Sequence, residues 1–159
     1  MIPNGKAFNG KTFFEHEGKK YYRWHNIQRL GDYQLHFRFI KVNSPYQQGI
    51  VLFFSNFKGS IALNGKKLPT LKGKFQHYTF RQDEIPNNEF TLSVHAEDGS
   101  LIIGNGSQIL GDAGLECGSL GCAFWTEELD ENMYRFHCND HEYDDDFDDL
   151  VFDLVFEIF

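Results

Sequence analysis

The sequence predicts an all-β protein, a two-sheet antiparallel sandwich of jelly-roll type. Three observations carry that expectation. Apolar and polar residues alternate with period 2 along several segments. Fifteen glycines punctuate the chain at strand-like intervals, marking about ten short strands. No window of 11 residues shows a helical apolar stripe. An up-and-down barrel is the second choice.

In chain order, Thr12 to Glu15 and Lys20 to Trp24 are the weakest strand candidates. Residues 33–42 put Tyr33, Leu35, Phe37 and Phe39 on one face and Gln34, His36 and Arg38 on the other. Ile50 to Phe54 is a continuous apolar run, which reads as a strand covered on both faces. Asn64-Gly65 predicts a two-residue hairpin turn between Ile61-Ala62-Leu63 and Lys66-Lys67-Leu68. Phe75 to Phe80 is the next strand. Residues 90–97 then place Phe90, Leu92, Val94 and Ala96 inward, with Thr91, Ser93, His95 and Glu97 outward. Asp98-Gly99 predicts a second hairpin turn, into Ser100 to Ile103. Tyr134 to Cys138 and Leu150 to Ile158 complete the set. The whole reads as one domain over 1–159, with an acidic loop and a terminal strand at 139–159.

Charge is uneven. Residues 1–126 carry 14 Lys+Arg and 10 Asp+Glu; residues 127–159 carry one base, Arg135, and 13 acids. The overall net charge of −8 argues against binding a phosphate backbone, so no nucleic-acid partner is expected. No apolar run approaches the roughly 20 residues of a membrane helix, so no membrane span is expected. The first six residues lack the apolar stretch of a secretory signal. As it stands the chain reads as cytoplasmic, or as secreted if a leader has been removed.

The densest constellation is Asp140 to Asp149, where seven carboxylates fall within ten residues. Such a density repels itself unless a cation balances it, and calcium takes six to eight oxygen ligands. On an extended segment Asp144, Asp146 and Asp148 point the same way, and Asp140 and Asp149 can complete a shell. The pattern is not an EF-hand. Counted from Asp144, the sixth position is Asp149 rather than glycine and the twelfth is Val155 rather than glutamate. The run Asp144-Asp145-Asp146-Phe147-Asp148-Asp149-Leu150-Val151-Phe152 resembles the Asp-x-Asp-Phe-Asn/Asp-Asp-Leu-Val-Phe motif. That motif closes a β-rich domain of unknown function at the C-terminal end of some bacterial surface and secreted proteins. The resemblance implies calcium binding at the motif, with Asp144, Asp146, Asp148 and Asp149 as ligands. It covers roughly residues 121–156. The alternative readings are a solvated loop and a patch that docks a basic partner.

Cys117, Cys122 and Cys138 form an odd set with no Cys-x-x-Cys pair, so zinc is not expected despite nearby His137 and His141. His36, His77 and His95 fall on polar strand faces. With Arg38 they would line a polar surface on which Trp24, Tyr33 and Trp125 offer stacking area for a sugar. The sequence therefore points to a non-catalytic binding module, stabilised by calcium, with a carbohydrate or surface-protein ligand. A jelly-roll hydrolase or lyase using the histidines is the second reading. A cytosolic protein docking a basic partner through the acidic loop is the third.

Overall fold

The computed structural model describes residues 13–69, 77–108, 115–117, 123–139 and 147–158. These residues are almost entirely extended, with two 3-10 turns at Gln82–Glu84 and Pro86–Asn88. No helix among them is long and apolar enough to cross a membrane. The strands are β1 (Phe13–His16), β2 (Lys19–Tyr22), β3 (His25–Ile27), β4 (Gly31–Val42), β5 (Gln48–Leu63) and β6 (Lys66–Lys67). They continue as β7 (His77–Arg81), β8 (Glu89–Gln108), β9 (Leu115–Cys117), β10 (Phe124–Asp130), β11 (Met133–Cys138) and β12 (Leu150–Ile158). The all-β class is as expected from the alternation.

Hydrogen bonds join all the strands in one antiparallel sheet, in the order β1-β2-β10-β11-β12-β4-β8-β5-β6, with β3 and β9 on β8 and β7 on β5. Two long strands, β5 and β8, hold the arrangement together. The first part of β8 lies between β4 and the end of β5. Its second part lies between the start of β5 and the short strands β3 and β9. The expected hairpin at Asp98-Gly99 is therefore not formed. Asp98 pairs with Lys58 and Ser100 with Ser55, so β8 runs straight on along one partner. A turn would have to pair residues 97 and 100 with each other, and β5 already pairs with Ala96, Asp98 and Ser100.

What Asp98-Gly99 marks instead is a bend. The β5–β8 register shifts on both sides of Lys58. A Cβ on Gly59 would sit 1.9 Å from the His95 carbonyl oxygen, and one on Gly99 2.3 Å from that of Asn56. Both glycines also have positive φ, +152° and +78°. Beyond the bend the two halves of the sheet turn their apolar faces toward each other. His25 on β3 meets the Phe136 ring on β11 edge-on at 5.4 Å. Phe80 on β7 stacks on Phe90 at 4.6 Å. Asn105 Nδ2 on β8 donates to the Asn139 carbonyl just after β11 at 2.6 Å. One large cluster of buried side chains results, with Leu35, Leu92, Leu101, Ile103 and Phe136 each fully enclosed, and a second, small one gathers Tyr21, Ala123 and Phe147.

The inward and outward sets expected for β4 and β8 are the observed ones. Tyr33, Leu35, Phe37, Phe39, Phe90, Leu92, Val94 and Ala96 are buried. The Asn64-Gly65 turn joins β5 to β6 as expected, with Leu63 paired to Lys66. Strand β12 lies inside the sheet, between β11 and β4, which is why Leu150 to Leu154 are buried at every position.

His25 packs against the rings of Tyr134 and Phe136. Burial lowers its pKa below the ordinary imidazole value of 6.5. The unfolded chain then binds a proton that the folded one refuses, so stability falls as pH drops below 6.5. His95 acts in the opposite sense. Its hydrogen bond to Asp32, and then the Asp32 charge, raise its pKa. That contribution is complete below 6.5 and is lost as pH rises through the raised value. Thermal midpoints measured from pH 5 to 8 should fall on the acid side, and the His25→Phe variant should lose part of that fall. His95→Gln should flatten the alkaline side. An unchanged acid slope in His25→Phe would refute the assignment.

Candidate functional site: a polar groove on the outer sheet face

The outer face of the sheet is built in rows, because directly paired residues share a face. One row runs Glu127–Arg135–Asp153–Arg38–Glu89 across β10, β11, β12, β4 and β8, alternating in charge at every step. The next row is Met133–Val155–His36–Thr91. Above these rows the Asn64 turn and the Pro86–Asn88 turn stand up as walls. Together they enclose a groove of about 560 Å³. Val155 and Met133 supply its apolar floor, and His36, Arg38, Thr91 and Asp153 its polar surface.

The groove residues are held firmly. His36 Nδ1 is 2.8 Å from Thr91 Oγ1, and its Nε2 is 2.8 Å from Glu157 Oε2. Both ring nitrogens are thus engaged and the imidazole plane is set. Asp153 is buried, and Arg135 grips it with both arms of its fork, Nε to Oδ1 at 2.7 Å and an Nη to Oδ2 at 3.0 Å. This bond raises the Arg135 pKa further. Asn64 Oδ1 accepts from the Thr91 backbone N–H at 2.8 Å, which turns its amide nitrogen outward.

The residues expected to bind ligand divide among five places. His36 and Arg38 line the groove. His95 shares their face but sits two rows beyond His36, exposed and paired with Asp32 at 2.6 Å and Glu97 at 3.8 Å. Trp24 and His77 lie on the other half of the sheet, each against Phe53, at 5.1 and 5.3 Å. There Trp24 covers Gly104, where a Cβ would be 2.5 Å from its ring. Trp125 has its ring stacked on His137 at 4.0 Å, with the Lys19 ammonium 4.1 Å from the ring centre, so it has no open face for a sugar. Tyr33 is buried in the core and stacks on Phe156 at 5.1 Å, so it cannot reach a surface ligand. Burial pushes its hydroxyl pKa up to about 12. The inward parity that makes Tyr33 a core residue is the reason. The three histidines of the second reading do not share a pocket.

Of the five expected metal ligands, Asp140, Asp144 and Asp146 lie outside the described residues. Asp148 Oδ2 accepts from Lys41 Nζ and Asn43 Nδ2, both at 3.0 Å, so an ammonium of the chain already balances it. Asp149 is buried, and its carbonyl accepts from the Asn43 N–H at 3.0 Å. The ends of the acidic segment are fastened: Asn139 Oδ1 accepts from the Phe147 N–H at 2.9 Å, and the Asn139 N–H bonds the Ala123 carbonyl at 2.9 Å. Among the described residues no three His, Cys, Asp or Glu side chains are placed to share a metal. Cys138 is buried on the opposite side of β11 from His137; Cys122 and the Cys117 side chain lie outside what is described.

Sequence reasoning missed Asp153, Thr91, Asn64 and Asn87 as groove residues. A signal for Asp153 was present, as the one acid at 150–156 within an otherwise apolar strand, next to a segment whose single base is Arg135. Comparison of the chain with protein-family models, with curated proteins and with solved structures gives no match.

Proposed function

We propose that the protein is a non-catalytic binding module whose outer-face groove takes a carbohydrate. The observation that carries this reading is the groove itself. It has the volume for one or two sugar rings, an apolar floor, and side-chain donors and acceptors fixed around it. A binding role is favoured over hydrolysis because both ring nitrogens of His36 are committed, and His95 and His77 stand elsewhere. The test is an NMR titration with soluble oligosaccharides, following the histidine rings. The His36 resonances should shift, and His36→Ala should weaken binding at least tenfold, about 1.4 kcal/mol. Shifts at His77 alone would move the site to the Trp24–Phe53 ledge. No shift with any oligosaccharide would overturn the carbohydrate reading.

Calcium belongs to the same reading as counter-ion of the carboxylates at Asp140, Asp144 and Asp146. What supports it is their number between two fastened ends. An ion that binds only the folded chain raises the thermal midpoint. Added calcium should therefore raise the midpoint over that in EDTA, and Asp146→Ala should lose the rise. Equal midpoints with and without calcium would remove the ion from the account.

A further inference from the structure

We propose that the ligand of the groove carries an oxyanion, a carboxylate or sulfate on a saccharide, and that Arg38 binds it. The inference rests on the carbohydrate reading and adds the charge of the ligand. Arg135 and Arg38 stand on either side of Asp153 in one row. Arg135 takes both oxygens of Asp153. Arg38 is left over: among the described residues it makes no hydrogen bond and no ion pair, although it lines the groove and is exposed. Its five N–H donors form a planar fork that fits an oxyanion bidentately. The Asn64 side chain also lines the groove, and with its Oδ1 taken by the Thr91 N–H its amide nitrogen adds neutral donors. The carboxylates that would repel an anion are largely answered within the chain. Asp153 is held by Arg135, and Glu157 by His36. Glu89, the register partner of Arg38 on β8, is the remaining acid of the groove and forms no ion pair with it among the described residues. A neutral sugar would use the guanidinium only through hydroxyls, which are weaker acceptors than an ionised group.

The test is calorimetric titration of the whole chain with three oligosaccharides of equal length: a carboxylated one such as an oligogalacturonate, a sulfated one, and a neutral one. At least one of the charged pair should bind tenfold or more tighter than the neutral one, and which of them does so identifies the oxyanion. Arg38→Gln should abolish that preference. Glu89→Gln should enhance it, and as an exposed substitution it keeps the proposal testable should Arg38→Gln fail to fold. Equal affinity for charged and neutral oligosaccharides would overturn the oxyanion inference and leave the carbohydrate reading standing. A preference that survives in Arg38→Gln would likewise overturn the role of Arg38. Failure of all three to bind would overturn both.

Discussion

Replacing Phe136 by alanine is expected to cost about 4 kcal/mol of folding stability. Its side chain is fully buried at the seam between the two halves of the sheet. It stacks on Phe152 at 4.5 Å within its own half, meets Phe124 at 5.0 Å, and receives His25 from the other half. Alanine would remove the ring and leave a cavity between elements that are not free to close, since β11 is hydrogen-bonded to β10 and β12 on both sides. For a chain of this size the thermal midpoint should drop by roughly 10 °C. Denaturant unfolding of Phe136→Ala and of a control at exposed Leu30 tests this. A loss below about 1 kcal/mol would mean that the seam contributes little and that each half is stable alone.

The second large effect is expected at Arg135. Its partner Asp153 is only 5% exposed, so Arg135→Met would leave an enclosed carboxylate without the guanidinium that grips it. Breaking one side of a buried pair costs about 3 kcal/mol. The double variant Arg135→Met, Asp153→Leu should recover most of that loss, because the pair's own contribution over an apolar replacement is small. The exposed pair of His137 with Glu127 is a useful contrast. Glu127→Gln should change stability by less than about 1 kcal/mol. If the double variant is as unstable as Arg135→Met, the ion pair itself rather than an abandoned carboxylate holds β11 to β12.

Much of the strand content was legible because each strand needs only local information. Parity in residues 33–42 and 90–97 names the buried set correctly, since a side chain's face follows from its position along the pleat. The same parity places His36 and Arg38 on the outer face, where the groove forms. Asp98-Gly99 was misread for an equally physical reason. A dipeptide that suits a tight turn also suits a bulge, and only the partner strand decides between them. With β5 continuous alongside, the glycine permits a bend where a hairpin was expected. Trp125 and Tyr33 show the same limit at the level of side chains. Aromatic residues attract a ligand only if a face is open, and the faces here are closed by His137 and Lys19, and by Phe156 and the core.

The all-β class, the inward faces of β4 and β8, the Asn64-Gly65 turn, the concentration of acid in the last 33 residues, and the placing of His36 and Arg38 on a polar face can all be read along the chain. These depend on period, turn chemistry and composition, which a linear reading contains. Strand pairing is what makes β12 an interior strand and lets β5 and β8 carry one sheet through a bend. The same pairing gives Asp153 to Arg135 rather than Arg38, and brings two turns distant in sequence together as the walls of a groove. Each of these depends on which strands lie side by side, and that is settled by long-range pairing and by the burial of one shared core.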